Sequence, residues 1–192
     1  VSRIIAGSHR GRRISTPPGD RTRPTTDRVR EALFSTIASW AGTAGSPGEE
    51  QLSGLTFLDL YAGSGAVGLE AASRGATAVL MVESDRRTSR VITDNVTDLG
   101  LRATVRTGRV EDVIANPPPG PYDVIFLDPP YELATARLSA QLATLVAQGW
   151  LTDDALVVVE RSTRTDEPTW PEDPADVWSR TYGETVLHFW QR

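Results

Sequence analysis

The chain has 192 residues, 39% of them hydrophobic, no cysteine and two distant histidines, His9 and His188. That fits one domain of ordinary size with a small appendage and excludes a disulfide framework, a thiolate metal site and a histidine-rich metal centre. The net charge is −5, yet residues 1–30 carry eight arginines against Asp20 and Asp27, or +6, which leaves −11 for the rest. A basic arm on an acidic body points to a polyanionic partner. No apolar run is long enough for a membrane span and the first residues lack a signal-peptide core, so a cytoplasmic protein is expected.

In chain order, "RIIAGSHRGRRIST" holds two β-prone pieces, 3–6 and 12–15, around a Gly-bounded turn, and predicts a hairpin. "PPGDRTRP" is a loop. Val29, Leu33, Ile37 and Trp40 then recur at helical spacing behind Thr25, Thr26 and Asp27 as candidate caps. The stretch 41–54 is rich in Gly, Ser, Pro and Glu without periodicity and reads as a flexible linker. From there strand-like segments at 55–60, 78–82, 102–106 and 124–127 alternate with helical ones at 66–74, 86–99 and 133–148, before the strand "ALVVVE". Such alternation builds βαβ units, a mostly parallel sheet and helices on both faces. The last residues read as two strands about Gly183, an antiparallel addition at the sheet edge. Trp40, Trp150, Trp178, Trp190 and His188 fall in apolar patterns and read as structural.

Two stretches carry chemistry. In "FLDLYAGSGAVGLEAASRGA", Gly63, Gly65 and Gly68 satisfy G-x-G-x-x-G after a strand, and Glu83 follows Gly63 by 20 residues at the end of the next strand. Glycine allows a tight turn and close approach to a ligand, and the acidic residue can grip ribose hydroxyls. A dinucleotide and S-adenosylmethionine both fit that pattern. Asp59, four residues before Gly63, favours the second, since a carboxylate there repels a pyrophosphate and suits an ammonium and a sulfonium.

The other stretch, "YDVIFLDPPY", ends a buried strand in Asp128, Pro129, Pro130 and Tyr131. Ligands of a doubly wound sheet lie beyond the carboxyl ends of its strands, so this tetrapeptide meets the glycine loop. The Asp128 carboxylate and the Pro129 carbonyl can each accept an N–H of an exocyclic amine, and Tyr131 offers a ring for the base. A ring amine is a weak nucleophile because its lone pair is delocalised. Holding its N–H bonds out of plane restores the lone pair and aims it, which is catalysis by orientation and electrostatics without a metal.

With these residues in view the chain resembles the class I S-adenosylmethionine-dependent amino-methyltransferases, and among them the RsmD-type 16S ribosomal RNA guanine-N2 methyltransferases. The stretches "RIIAGSHRGRRI", "TRPTTDRVREALFSTI", "FLDLYAGSGAVGLEAASRGA", "NVTDLGL" and "VIFLDPPY" carry the resemblance. It implies a Rossmann-like, mostly parallel seven-stranded sheet with an antiparallel C-terminal edge strand and a small N-terminal hairpin arm. The methyltransferase domain would span 25–192 and the RNA-binding arm 1–24. It further implies S-adenosylmethionine held by Asp59, Tyr61, Gly63, Ser64, Gly65, Glu83, Ser84, Arg109 and Val110. Asp128 to Tyr131 would be catalytic. Arg10, Arg12, Arg13, Arg23, Arg28 and Arg30 would face 16S rRNA within the 30S subunit, and the protein would be a monomer. A DNA adenine-N6 methyltransferase and a non-catalytic RNA-binding assembly factor on the same fold remain alternatives.

Overall fold

The computed structural model describes residues 2–17 and 26–192. Five strands form the parallel part of the main sheet: β3 (Thr56–Leu60), β4 (Ala78–Glu83), β5 (Thr104–Thr107), β6 (Tyr122–Leu127) and β7 (Leu151–Ser162). With β8 (Asp176–Tyr182) and β9 (Thr185–Gln191) the order is β5-β4-β3-β6-β7-β9-β8. β9 runs antiparallel to both of its neighbours, so the antiparallel strand lies one place in and β8 closes the edge. The chain order reverses between β3 and β6, which makes the ends of these two strands the switch point where a ligand crevice opens.

Helices cover both faces. On one, α1 (Asp27–Trp40), α2 (Ala66–Ser73) and α3 (Arg86–Leu99) bury an apolar cluster that includes Phe34, Leu69 and Ile92 against Phe57, Met81 and Phe126. On the other, α4 (Val110–Ile114) and α5 (Thr135–Ala147) cover Leu58, Leu80, Ile125 and Val157. The central strands are therefore apolar on both sides, as parallel strands between two helix layers must be. Thr26 caps α1 by accepting the Val29 N–H. α4 has only five residues, too short to leave a periodic signal in the sequence.

A hairpin of β1 (Ser2–Arg3) and β2 (Arg13–Ile14) forms as expected, but it is not a separate arm. Ile4 and Ile14 are each 1% exposed and belong to the same apolar cluster as α1 to α3. The backbone N–H groups of Ile5 and Ala6 donate to the two oxygens of Glu70 at 2.8 and 2.9 Å. Gly7, at φ +84°, passes so close to α2 that an added Cβ would stand 2.0 Å from the Ser73 carbonyl oxygen.

Residues 41–54, expected to be a flexible linker, make a packed connection instead. Leu52 is fully buried, Thr43 donates from Oγ1 to the Gln51 carbonyl at 2.7 Å, and a short 3-10 turn at Gly48–Glu50 abuts the hairpin at Gly7. Composition suggested disorder, but a single large apolar side chain and a few backbone bonds suffice to dock the segment. Among the described residues no helix is long and apolar enough to cross a membrane.

Candidate functional site

The glycine loop follows β3 and leads into α2. Gly63 has φ +55° and Gly65, which caps α2, has φ +77°, both in the region where glycine is at ease. The three glycines do different work. A Cβ on Gly63 would meet only the Tyr61 carbonyl oxygen, at 4.0 Å, whereas one on Gly65 would stand 2.7 Å from Ile92 and one on Gly68 2.5 Å from Met81. Gly63 therefore keeps side-chain bulk out of the cavity it lines, and Gly65 and Gly68 let α2 settle on β4 and α3.

Glu83 ends β4 beside this loop. One of its oxygens accepts the Gly63 N–H at 2.9 Å and the other the Asp85 N–H at 2.8 Å, which fixes the carboxylate on the crevice wall next to Ser84. Tyr61 is the one non-glycine residue with positive φ among the described residues, at +64°. Its hydroxyl donates to the Gln141 side chain on α5 at 2.8 Å, which offsets the strain by anchoring the loop.

Asp128 follows β6 directly, its N–H reaching the Leu60 carbonyl at 3.4 Å. It lines one cavity of about 380 Å³ together with Gly63, Glu83, Ser84, Arg109 and Val110. Pro129, Pro130 and the 60% exposed Tyr131 line the same cavity. Leu133 N–H occupies the Pro130 carbonyl, and among the described residues no donor occupies that of Pro129. Burial, with the like charges of Glu160 and Asp59, holds the Asp128 carboxyl well above the usual carboxylate range, and the Arg161 guanidinium opposes them.

Several expectations need correction. Asp59 does not line the cavity. It is 1% exposed beneath the loop, accepts the Gly68 N–H at 2.9 Å, and burial pushes its carboxyl up to about 7, although that backbone bond pulls the other way. Its action on a ligand would be through the field rather than by contact. Ser64 and Gly65 also lie outside the lining. Arg30, expected to face RNA, is fully buried: it pairs with Asp27 at 3.0 Å and with Glu70 at 3.8 Å and holds Ser2 and the Arg3 carbonyl. Arg10, Arg12, Arg13 and Arg28 are exposed, and Arg23 lies outside the described residues. The hairpin turn docks on Ser73 at the C-terminal end of α2, away from the crevice at its N-terminal end. Sequence reasoning also missed Glu111, which lines the cavity and pairs with Arg109 and with Arg137 at 3.7 Å. Its place at the start of the short helix α4 left no signal.

A parallel sheet with one antiparallel strand near its end, a glycine loop after its central strand and Asp-Pro-Pro-Tyr after the adjacent one define a class: the Rossmann-like methyltransferases of class I. A family model described as "Conserved hypothetical protein 95" matches residues 2–191. Ribosomal RNA small subunit methyltransferase D of Escherichia coli is 34% identical over 99% of this chain and 89% of its own length. The chain belongs to this family, that of ribosomal RNA small subunit methyltransferase D. A putative rRNA methyltransferase of Bacillus subtilis, YlbH, is 31% identical over 99% of this chain and 98% of its own. Among solved structures, a putative methyltransferase of Escherichia coli, yhhF, superposes with a TM-score of 0.83 at 33% identity, covering 100% of this chain and 97% of that one. A Thermus thermophilus 16S rRNA N2 methyltransferase in complex with AdoMet and guanosine shares the fold, with a TM-score of 0.70 at 20% identity over 92% of this chain and 46% of that one.

Proposed function

We propose that the protein methylates the exocyclic N2 amine of a guanine in 16S rRNA, on an assembled or assembling 30S subunit, acting as a cytoplasmic monomer. S-adenosylmethionine is the methyl donor. The crevice fits such a ligand: about 380 Å³ falls within the ordinary range for cofactor pockets. The carboxylates of Glu83, Glu111, Asp128 and Glu132 line it and Asp59 lies beneath its floor, a setting that favours a cation over a pyrophosphate. Gly63 carries no side chain to block the crevice, its N–H holds the Glu83 carboxylate, and Glu83 with Ser84 would take the ribose hydroxyls.

The observation that carries the reading is the pairing of two acceptors in one crevice: the carboxylate of half-buried Asp128 and the Pro129 carbonyl, which no described residue occupies. When bound, the cofactor supplies a methyl group made electrophilic by its sulfonium. Asp128 and Pro129 each take an N–H of the guanine amine and turn its lone pair out of the ring plane. Tyr131, exposed where it lines the cavity, stacks on the base, worth about 1–3 kcal/mol. Pro130 keeps the segment stiff, so the geometry is held before the base arrives. Ionised Asp128 is the form that accepts, and its elevated ionisation range makes turnover fall on the acid side.

The exposed Arg10, Arg12, Arg13 and Arg28, with Arg23 outside the described residues, supply attraction for rRNA phosphates that the acidic body lacks. Labelled cofactor incubated with 30S particles from a strain lacking this methyltransferase tests the reading. Label recovered as N2-methylguanosine from 16S rRNA supports it. Label in another nucleoside, or in DNA alone, would refute it.

A further inference from the structure

Behind the Asp-Pro-Pro-Tyr segment, β7 carries a buried cation. Arg161 is 4% exposed and lies two residues beyond Val159, the partner of Leu127 in the β6–β7 register. Its Nη1 donates to the Pro130 carbonyl at 3.4 Å and its Nη2 to the Leu133 carbonyl at 2.9 Å. The Leu133 N–H donates to the same Pro130 carbonyl at 2.9 Å, so one backbone bond closes the turn and one guanidinium holds both of its ends. Nε has no partner, and no carboxylate among the described residues lies within ion-pair distance of Arg161. Burying a cation without a salt bridge is costly, and an apolar residue on β7 would fill the space more cheaply. Its presence calls for a role outside the core.

The surroundings supply one. Asp128 faces two groups of its own sign, Glu160 on β7 and Asp59 on β3, and Arg161 is the cation that opposes them. Tyr61, which faces Arg161 from the glycine loop, is neutral, its hydroxyl held above its ordinary range by burial. His188 on β9 also feels Arg161, and burial keeps its imidazole below its ordinary range, with Glu167 beyond it at 3.9 Å from Nδ1.

We propose that Arg161 is a positioning residue for methyl transfer, clamping the turn at 130–133 from β7 and supplying the positive field that keeps Asp128 an acceptor. This rests on the reading of Asp128 as the amine acceptor. The guanidinium fork is what the geometry uses, since one ammonium cannot reach two carbonyls in the same way.

Arg161→Met and Arg161→Lys separate the two duties. The Asp128 carboxyl is followed by carbon-13 NMR in the cofactor-free protein, and the Leu133 amide by hydrogen exchange. In Arg161→Met the carboxyl midpoint moves up by about 1–3 pH units, and the acid limb of kcat moves with it. Arg161→Lys keeps the midpoint near that of the parent while Leu133 exchanges faster. In both, kcat on 30S particles falls by up to about 10²-fold, and cofactor affinity changes little. If Arg161→Met does not fold, Leu133 exchange and kcat in Arg161→Lys decide. An unchanged Leu133 exchange rate together with an unchanged kcat in the folded variants overturns the proposal. A parent that transfers no methyl group, while midpoint and exchange move as stated, would refute the guanine reading and leave the clamp standing.

Discussion

The seam between the hairpin and α2 and the floor of the crevice both bury carboxylates, but they compensate them differently. In the seam, Glu70 is fully buried and accepts from the Ile5 and Ala6 N–H groups and from Arg74 Nε at 2.8 Å, with Arg30 beside it. On the floor, Asp59 has the Gly68 N–H, and its charged neighbours Glu83 and Asp128 share its sign. A buried charge whose partners are complete holds a fold together. One whose partners are missing is poised for a ligand. The seam is structure, and on the proposed reading the floor serves the ligand.

The largest effect should come from breaking the seam. Glu70→Gln leaves Arg30 and Arg74 short of a counter-charge and should cost about 3–5 kcal/mol in urea unfolding. Asp59→Asn should behave in the opposite way. The folded chain keeps on Asp59 a proton that the unfolded chain releases near its ordinary pKa, so this contribution is complete below that range and is lost as pH rises through about 7. The variant should therefore melt close to the parent at acid pH and above it at alkaline pH. Equal losses at Glu70 and Asp59 would dissolve the distinction.

Within the crevice, Asp128→Ala should lower turnover by about 10²–10³-fold, the scale seen when one preorganised polar group is removed. Calorimetry on the same variant should find cofactor affinity within a few-fold of the parent. Glu83→Ala should show the reverse emphasis, weakening cofactor binding by about 1–3 kcal/mol. If Asp128→Ala turns over normally, the two-acceptor geometry has no catalytic meaning.

The smallest effect is on the hairpin surface. Removing residues 1–15 would take Ile4, Ile14 and the partners of Glu70 with it, so point changes are the cleaner probe. Changing Arg10, Arg12 and Arg13 to Gln should lower the salt slope of 30S binding by about 2, at about 0.7 per phosphate contact, without moving the melting curve. A slope that does not change would mean those side chains are only solvated.

The same contrast explains what could be read in advance. The parallel strands, their helices, the glycine loop and the Asp-Pro-Pro-Tyr turn are local patterns, and the structure places them at one switch point. Arg30 reads as exposed in the sequence because a helix residue beside Val29 is outward or inward depending on a partner 40 positions away, Glu70. The hairpin's burial hung on Ile4 and Ile14, two apolar residues in a basic stretch whose charge dominated the reading. Arg161 left no signal, since an arginine ending an apolar strand reads as a solvated end.

A crevice floor that awaits a cation should reveal itself in proton linkage. S-adenosylmethionine is titrated into the parent and into Asp59→Asn near pH 6.5, in buffers of different ionisation enthalpy, and the protons exchanged per ligand are compared. A cation bound above the floor favours ionised Asp59, so the parent should release more protons than the variant. Equal proton counts, or net uptake by the parent relative to Asp59→Asn, would contradict a floor that awaits a cation.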